Sequence, residues 1–209
     1  MAVTFGITTE ALRRGPVGRV APITGPSPAL TAALALALLG ERISRPQAAG
    51  IVLAVAAASL LGSRPGTRAD GPAWRPLALT SLVLQGVGAF LAKVVVTPSG
   101  PAALLVTSAS LQVVVGWFLL KRSGAPFPDL RPRLHRWTQL VLALAAVATI
   151  GYLWALSEGP AAVIVPLVAT SPALGGLIGA IVLKERTTRA QYGAILLGLV
   201  GAFLLALPA

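Results

Sequence analysis

Seven long stretches without a single charged residue constrain this chain more than any other feature of its sequence. They are Val20–Gly40, Pro46–Ser63, Pro76–Ala92, Val94–Leu120, Trp137–Ser157, Gly159–Leu183 and Ala190–Ala209. Their lengths run from 17 to 27 residues, and a helix needs about 20 residues to cross the ~30 Å hydrocarbon core of a bilayer. None alternates between apolar and polar residues as barrel strands do. We therefore predict an all-α, multi-pass protein of the cell membrane with seven transmembrane helices.

The composition agrees with a lipid environment and limits the chemistry of the chain. Apolar residues make up 56% of the sequence and charged residues only 11%, whereas soluble domains are about a quarter charged. The opening segment Met1–Glu10 is too short and too polar to span, and it lacks the pattern of a signal peptide. With no cysteine, one histidine and six acids, disulfides and Cys-ligated metals are excluded. We expect no metal and no cofactor.

The net charge of +11 raises the question of nucleic-acid binding. Nucleic-acid binders gather Lys and Arg on one surface with aromatic residues among them, but here the basic residues form short clusters between apolar stretches. Counted over alternate sides of seven helices, 14 of the 17 basic residues lie on one side. We interpret them as charges that orient a membrane protein, with the long loops in the cytoplasm and the C-terminus outside. No nucleic-acid partner is expected.

The loop Lys121–Arg136 provides a direct test of this orientation, because five of the 17 basic residues lie in it. We expect the loop to face the cytoplasm. A single cysteine placed at Ser123 should therefore resist an impermeant thiol reagent added to intact cells and react once the cells are opened. Modification in intact cells would contradict the predicted orientation.

An internal repeat becomes visible when the sequence is shifted by 144 residues. Gly15–Leu61 then aligns with Gly159–Leu205 without a gap, at 17 identities in 47 positions. Apolar low complexity matches Ala and Leu by chance, but it does not align Gly-Pro, Ser-Pro, Glu-Arg and Gln in one register. From a point in one copy to the equivalent point in the other, the chain makes five crossings, and an odd number inverts the second copy relative to the first. Inverted repeats are typical of secondary transporters, whose substrate site lies near the membrane midplane.

The repeated residues carry a family resemblance. A Gly-Pro opening, a Ser-Pro in the next helix, a Leu-x-Glu-Arg turn and a Gly-rich final helix resemble the EamA-type repeat of the drug/metabolite transporter superfamily. The resemblance implies ten helices in two inverted halves of five, transport of small metabolites, and a cytoplasmic C-terminus. This last implication opposes the orientation that the basic residues predict.

The resemblance covers the two halves of the chain unequally. Residues 1–62 correspond to the last two helices of a first repeat, residues 63–75 to a linker, and residues 76–209 to a complete second repeat of five helices. The predicted fold is thus the C-terminal part of a ten-helix inverted-repeat transporter. Its missing helices would be encoded upstream of Met1 or supplied by a homo-oligomer. The alternative is a complete fold of seven helices.

Prolines interrupt the same span in both copies. Pro22, Pro26 and Pro28 stand in the first copy, and Pro160, Pro166 and Pro172 open or interrupt the second. Proline removes a helical hydrogen bond, and the freed carbonyl survives in a membrane only beside protein or a water-filled cavity. Matched breaks in inverted halves indicate a transport site, with a packing kink as the alternative. Thr24, Ser27, Thr170 and Ser171 lie at these breaks.

Lys93 is the only ionisable residue well inside a predicted span, and it shares one helical stripe with Ser81 and Gln85. A lysine there costs about 2.5–3.5 kcal/mol on insertion scales, so it should face a cavity or a partner. It either attracts an anionic or zwitterionic substrate or extends to the headgroups beyond Thr97-Pro98.

Shorter polar stripes complete the predicted substrate site. Ser108 with Gln112, and Thr149 with Tyr152, lie on single helix faces. They either line the site or bond to neighbouring helices. The predicted substrate-binding residues are Gln85, Lys93, Ser108, Gln112, Thr149, Tyr152, Thr170, Ser171 and Pro172, and the helix breaks are assigned to Pro22, Pro28, Pro166 and Pro172.

Two Glu-Arg pairs close their helices at the membrane boundary: Glu41-Arg42 and Glu185-Arg186. They either form part of a gate or cap the helix ends.

The functional prediction combines these features. The chain lacks the phosphate loop, the His-Glu-x-x-His zinc pair and the Gly-x-Ser-x-Gly elbow, so we expect no enzyme. We predict a carrier that moves a small polar or amphipathic metabolite by alternating access, with the bilayer and an unidentified small molecule as partners. The alternatives are a non-transporting membrane protein or assembly subunit and, less favoured by the residues, a membrane enzyme.

Overall fold

The computed structural model describes residues 2–14, 20, 23–62, 74–123, 132–182 and 188–208. Within these ranges the regular secondary structure is entirely helical. In chain order, the helices are α1 (Ala2–Arg14), α2 (Ser27–Leu38), α3 (Arg45–Gly62), α4 (Trp74–Ser123), α5 (Pro132–Glu158), α6 (Ala161–Val168), α7 (Ser171–Ile181) and α8 (Arg189–Ala206). The predicted all-α class is thus found in the described residues.

Four described stretches are long and apolar enough to cross a membrane. They are Trp74–Arg122, Thr138–Glu158, Ala161–Ile181 and Arg189–Ala206. Ser27–Leu38 and Arg45–Leu61 are also apolar but shorter. The first stretch, at 49 residues, is far longer than the ~20 residues that one crossing needs. The count of seven spans stays a prediction.

The boundary inside α4 differs from the predicted one. Cutting the sequence at charges divided this region at Lys93, but the helix continues through Lys93 and departs from helical geometry at Gly100, with φ 79° and ψ 159°. Lysine is a good helix former, whereas glycine adopts positive φ without steric cost. Pro98 and Pro101 flank the site, and each lacks the backbone donor of a regular helix. Backbone chemistry rather than charge thus divides α4.

The repeat is visible in the bounds of the helices. Adding 144 to the ends of α3 (Arg45 and Gly62) gives the ends of α8 (Arg189 and Ala206), and α2 and α7 begin at the equivalent Ser27 and Ser171. A short turn precedes each serine, at residues 25–26 in the first copy and 169–170 in the second. The chain therefore turns at the same register in both copies.

The final helices of the two copies share one hydrogen bond of a capping box at their N-termini. In α8, Thr188 Oγ1 accepts from the backbone N–H of Gln191 at 3.3 Å, and Gln191 Oε1 accepts from the backbone N–H of Thr188 at 2.9 Å. This reciprocal pair is a capping box. In α3, Gln47 Oε1 accepts from the Ser44 amide at 3.0 Å. Ser44 and Gln47 are the 144-residue equivalents of Thr188 and Gln191. The Gln of the repeat motif therefore has a local structural role.

Helices α3 and α8 pack through their small residues. Gly50, Ala54 and Ala57 are buried on α3, and their equivalents Ala194, Gly198 and Gly201 are buried on α8. Small residues let transmembrane helices approach closely, and such faces are typical of membrane helix interfaces.

The contacts between α3 and α8 show that the two helices run in opposite directions. A Cβ added to Gly201 would lie 3.0 Å from Ala54 N, and one added to Gly198 would lie 3.4 Å from Ala57 Cβ. The shift of 144 residues exchanges these two pairs, since Ala54 is equivalent to Gly198 and Ala57 to Gly201. The antiparallel pairing thus has the pattern that a two-fold relation between the copies produces.

The chain divides into two compact units. One comprises residues 3–91 and 159–209, and the other comprises residues 1–2 and 92–158. The first unit contains both copies of the repeat together with α1 and the first part of α4. Its core includes Ala54, Val163 and Leu205, against which Ile43, Ile51 and Leu167 pack.

Candidate functional site

A cluster of uncharged polar side chains lies beside the helix break of the first copy. Gln85 Nε2 donates to Ser81 Oγ at 2.9 Å and lies 3.4 Å from Thr8 Oγ1. The Thr8 and Ser81 hydroxyls are 2.5 Å apart, and Ser27 Oγ donates to Gln85 Oε1 at 3.5 Å. We call Thr8, Ser27, Ser81 and Gln85 the Gln85 cluster.

Close helix packing holds this cluster in place. Thr31 Oγ1 donates to the Gly86 carbonyl at 2.9 Å and to the Ser27 carbonyl at 3.3 Å. A Cβ at Gly86 would lie 2.8–2.9 Å from side-chain atoms of Leu30, so only glycine allows α2 and α4 to approach this closely. The bond from the Thr31 hydroxyl to the Gly86 carbonyl thereby joins α2 to the backbone of α4 beside the cluster.

The chemistry of the Gln85 cluster is hydrogen bonding without ionisable groups. Ser27 and Ser81 are buried, whereas Thr8 and Gln85 remain partly accessible. Three hydroxyls and one amide provide both donors and acceptors. Such a set can hold hydroxyl, amide or carboxylate groups of a ligand but cannot by itself perform acid–base catalysis.

At the helix break of the second copy, a side chain hydrogen-bonds a backbone carbonyl of the preceding helix. Thr170 is buried, and its Oγ1 donates to the Leu167 carbonyl at 2.7 Å. Ser171 and Pro172, at the start of α7, are exposed, and Pro166 is buried within α6. A threonine side chain thus bonds the last turn of α6 at the point where the helix is interrupted.

Lys93 has a backbone partner near the end of α5. Its Nζ donates to the carbonyl of the buried Leu156 at 2.9 Å. A cation at the C-terminal end of a helix interacts favourably with the unpaired carbonyls and the helix dipole. The ammonium therefore contacts protein in this structure, and its role in substrate binding stays a prediction.

Two of the remaining predicted site residues of α4 and α5 donate hydrogen bonds to backbone carbonyls of their own helix. Ser108 Oγ donates to the Leu105 carbonyl at 3.1 Å, and Thr149 Oγ1 donates to the Ala145 carbonyl at 2.8 Å. Gln112 is exposed and Tyr152 is half-buried. Hydroxyls commonly bond in this way to the preceding turn of a helix. A role of these residues in substrate binding stays a prediction.

The predicted substrate-binding residues divide between the two compact units. Gln85, Thr170, Ser171 and Pro172 lie in the unit of the repeats, and Lys93, Ser108, Gln112, Thr149 and Tyr152 lie in the other. Within the first unit, Gln85 joins Ser81, Ser27 and Thr8. A single cavity lined by the whole predicted set stays a prediction.

The glutamate of the first Glu-Arg pair caps a helix of the other copy. Glu41 Oε1 accepts from the Ala161 amide at 2.9 Å, and Oε2 accepts from the Ala162 amide at 2.8 Å. Arg42 is exposed. Of the other predicted residues, Pro22, Glu185 and Arg186 lie outside the described residues, while Pro28 is buried one residue into α2.

Three members of the Gln85 cluster, Thr8, Ser27 and Ser81, were missing from the predicted substrate-binding residues, although Ser27 had been placed at the first helix break. Ser81 lies four residues before Gln85 on the same helix face, which the stripe had indicated. Thr8 lies in the segment that was excluded as too short to span, so its hydroxyl was not considered. No three His, Cys, Asp or Glu side chains of the described residues are placed as metal ligands would be.

Comparison with known proteins gives one family. The model of the EamA-like transporter family matches residues 1–63 and 73–207. No curated protein matches the chain.

Five chains among the solved structures match. One of them, described only as the crystal structure of a protein, aligns at a TM-score of 0.70 and 20% identity over 97% of this chain and 71% of its own. At this identity the match indicates a common fold and carries no functional information.

Proposed function

Because the chain belongs to the EamA-like transporter family, we propose that it is a secondary carrier of the cell membrane. It moves a small polar or amphipathic metabolite by alternating access. The family match covers nearly the whole chain and identifies a membrane protein of a transporter family. The carrier mechanism, the kind of substrate and the particular membrane are the proposal.

The observation that carries the proposal is the pair of matched helix breaks. A short turn stands immediately before Ser27 in the first copy and before Ser171 in the second, at positions 144 residues apart. In inverted-repeat transporters, discontinuous helices at corresponding positions of the two halves form the substrate site near the midplane. Backbone that departs from a helix is tolerated at that depth only where protein or a water-filled cavity satisfies its polar groups.

The Gln85 cluster supports a polar substrate at the first break. Its hydroxyls and amide form a network that hydrocarbon would reject unless protein enclosed it or a wet cavity adjoined it. We propose that this cluster contributes to the substrate site, together with Lys93 and the polar residues of the other unit. Lys93 would favour an anionic or zwitterionic substrate.

The proposed architecture is a ten-helix inverted repeat. Residues 1–62 supply the end of a first repeat, residues 63–75 the linker and residues 76–209 the second repeat. Helices from a further segment or from another copy of the chain would complete the first repeat. The opposite chain directions of α3 and α8, and the exchange of their contacts by the 144-residue shift, support this arrangement.

Reconstituted protein tests the proposed carrier function. Liposomes containing the purified protein are loaded with the polar metabolites of a cell extract, and mass spectrometry records which compounds leave. We expect one compound or a small group to leave several-fold faster than from protein-free liposomes. Gln85→Leu should slow this release about tenfold, the effect of about 1.4 kcal/mol from a lost hydrogen-bonding group.

A matched substitution separates the site from general effects of polarity. Gln139→Leu makes the same chemical change at an exposed position of α5 and should leave the release rate unchanged. Release no faster than from protein-free liposomes would contradict the carrier and favour a non-transporting membrane protein or assembly subunit.

A further inference from the structure

The carboxylate of Glu41 joins the two copies of the repeat. Glu41 lies in the segment between α2 and α3 of the first copy, and it accepts hydrogen bonds from the first two amides of α6 in the second copy. Ala161 and Ala162 are fully buried, whereas Glu41 is partly accessible. The contact spans 120 residues of sequence, so neither helix would make it alone.

Helix α6 has no comparable cap of its own. Its N-cap residue is Pro160, which makes no side-chain cap hydrogen bond, and the first amides of a helix have no partner within it. Both carboxylate oxygens of Glu41 are used, one for each amide. Charge-assisted hydrogen bonds of this kind are stronger than neutral ones, and the positive end of the helix dipole adds to the attraction.

The backbone before Glu41 is shaped for this contact. Gly40 has φ +64°, a conformation that non-glycine residues adopt only with strain. The backbone N–H groups of Leu39 and Glu41 both donate to the Ala35 carbonyl, at 3.0 and 3.4 Å. These bonds end α2. The turn at Gly40 therefore directs the chain from α2 towards α6. In the sequence, Lys184 occupies the equivalent position of the second copy.

The capped helix is the short arm of a broken span. Helix α6 has eight residues, contains Pro166 and ends at the turn of residues 169–170. At this turn the Thr170 and Ala173 backbone N–H groups bond to carbonyls three residues back, at 3.1 and 2.8 Å, so α6 can change its angle to α7 at the cost of these short turn bonds rather than of the bonds within either helix. By contrast, α3 and α8 are in backbone contact, and Gln47 Nε2 bonds the Leu207 carbonyl at the end of α8 at 2.9 Å. Glu41 thus links α6, which can turn at residues 169–170, to the closely packed helices α3 and α8.

We propose that Glu41 is a latch whose release from the start of α6 opens the protein on the side of the membrane where Glu41 lies. This inference rests on the proposed carrier function. In the latched state, the carboxylate holds α6 against α2 and α3. Release of two hydrogen bonds frees the arm to turn at residues 169–170. Glu41 is a positioning residue in this mechanism, since it acts on the substrate path through α6.

Accessibility of one cysteine from the two sides of the membrane tests the latch. The chain has no cysteine, so Ser27→Cys places a single thiol in the Gln85 cluster on an unmodified background. Its rate of modification by a charged, impermeant thiol reagent is measured in right-side-out and in inverted membrane vesicles. Glu41→Gln keeps the size of the side chain but removes its charge and one of its two acceptor oxygens. Arg42→Gln alters the exposed neighbour and is the matched control.

The latch predicts opposite changes on the two sides. In Glu41→Gln, modification from the Glu41 side should rise about fivefold, the factor expected from losing one helix cap. Modification from the other side should fall, because a population shift towards one open state depletes the other. Arg42→Gln should match the parent on both sides. A helix cap with only a structural role would raise both rates together or change neither, and either result would overturn the latch.

The same experiment tests the carrier separately. If the cysteine of the parent reacts from only one side or from neither, alternating access itself fails and the latch falls with it. If the parent reacts from both sides but Glu41→Gln behaves like the parent, the latch alone fails. Should Glu41→Gln not insert, Glu41→Asp decides. Its carboxylate is one methylene shorter, so the latch predicts the same opposite changes at smaller size, and parental rates on both sides would overturn it.

Discussion

Replacing Gly201 by leucine is expected to destabilise the protein by at least about 3 kcal/mol, the upper end of the usual cost of overpacking a core. A Cβ at Gly201 would lie 3.0 Å from the Ala54 nitrogen and 3.1 Å from the Gly50 carbonyl oxygen. Both are backbone atoms and cannot rotate away. Leucine adds three further carbons to that Cβ, so α3 and α8 would have to separate along the contact that joins the two copies.

Gly193→Leu provides the matched control for this prediction. Gly193 lies on the same helix but is exposed, and a Cβ there meets no atom within 4 Å. Leucine also favours a helix over glycine by up to about 1 kcal/mol, so this variant should melt at or slightly above the parental temperature. The measurement is thermal unfolding of the purified protein in detergent. Equal melting temperatures for the Gly201 and Gly193 variants would show that α3 and α8 are not packed as described.

Replacing Lys93 by leucine is expected to reduce transport by more than tenfold while leaving membrane insertion intact. On insertion scales, a lysine at the centre of a span costs about 2.5–3.5 kcal/mol, so its removal does not hinder insertion. If Lys93 attracts an anionic substrate, leucine removes that attraction entirely. The bond from Lys93 Nζ to the Leu156 carbonyl would then be exchanged for one to the substrate during transport. Release from metabolite-loaded liposomes and the amount of inserted protein are the two measurements.

Thr97→Ala is the control for the Lys93 variant. Thr97 is exposed one turn further along α4, and its Oγ1 donates to the Lys93 carbonyl at 2.9 Å. The change should leave transport unaltered. If Lys93→Leu transports at the parental rate but melts earlier, the lysine stabilises the end of α5 and has no role in transport. The proposed site would then contract to the Gln85 cluster and the two broken helices.

How far the sequence predicts this structure depends on whether the signal is local. The charge-free stretches indicated helices because lipid leaves the backbone no partner outside the segment, and most of the described residues there are helical. The repeat predicted the register in detail, since α3 and α8 share their bounds after a shift of 144 residues. Turns precede Ser27 and Ser171, while the assignment of the helix breaks to Pro22, Pro28, Pro166 and Pro172 stays a prediction.

The features that the sequence left undecided all depend on which faces meet. Glu41 lay at a helix end by sequence, but only the tertiary structure showed that it caps a helix 120 residues away. The sequence indicated that Lys93 needs a polar partner or a cavity. In the structure this partner is the Leu156 carbonyl, and no sequence pattern marks it. Thr8 entered the Gln85 cluster because α1 lies against α4. Hydrophobic patterns and backbone chemistry act over a few residues and can be read along the chain. The partner of a polar group is set by helix packing, and so only the tertiary structure decides it.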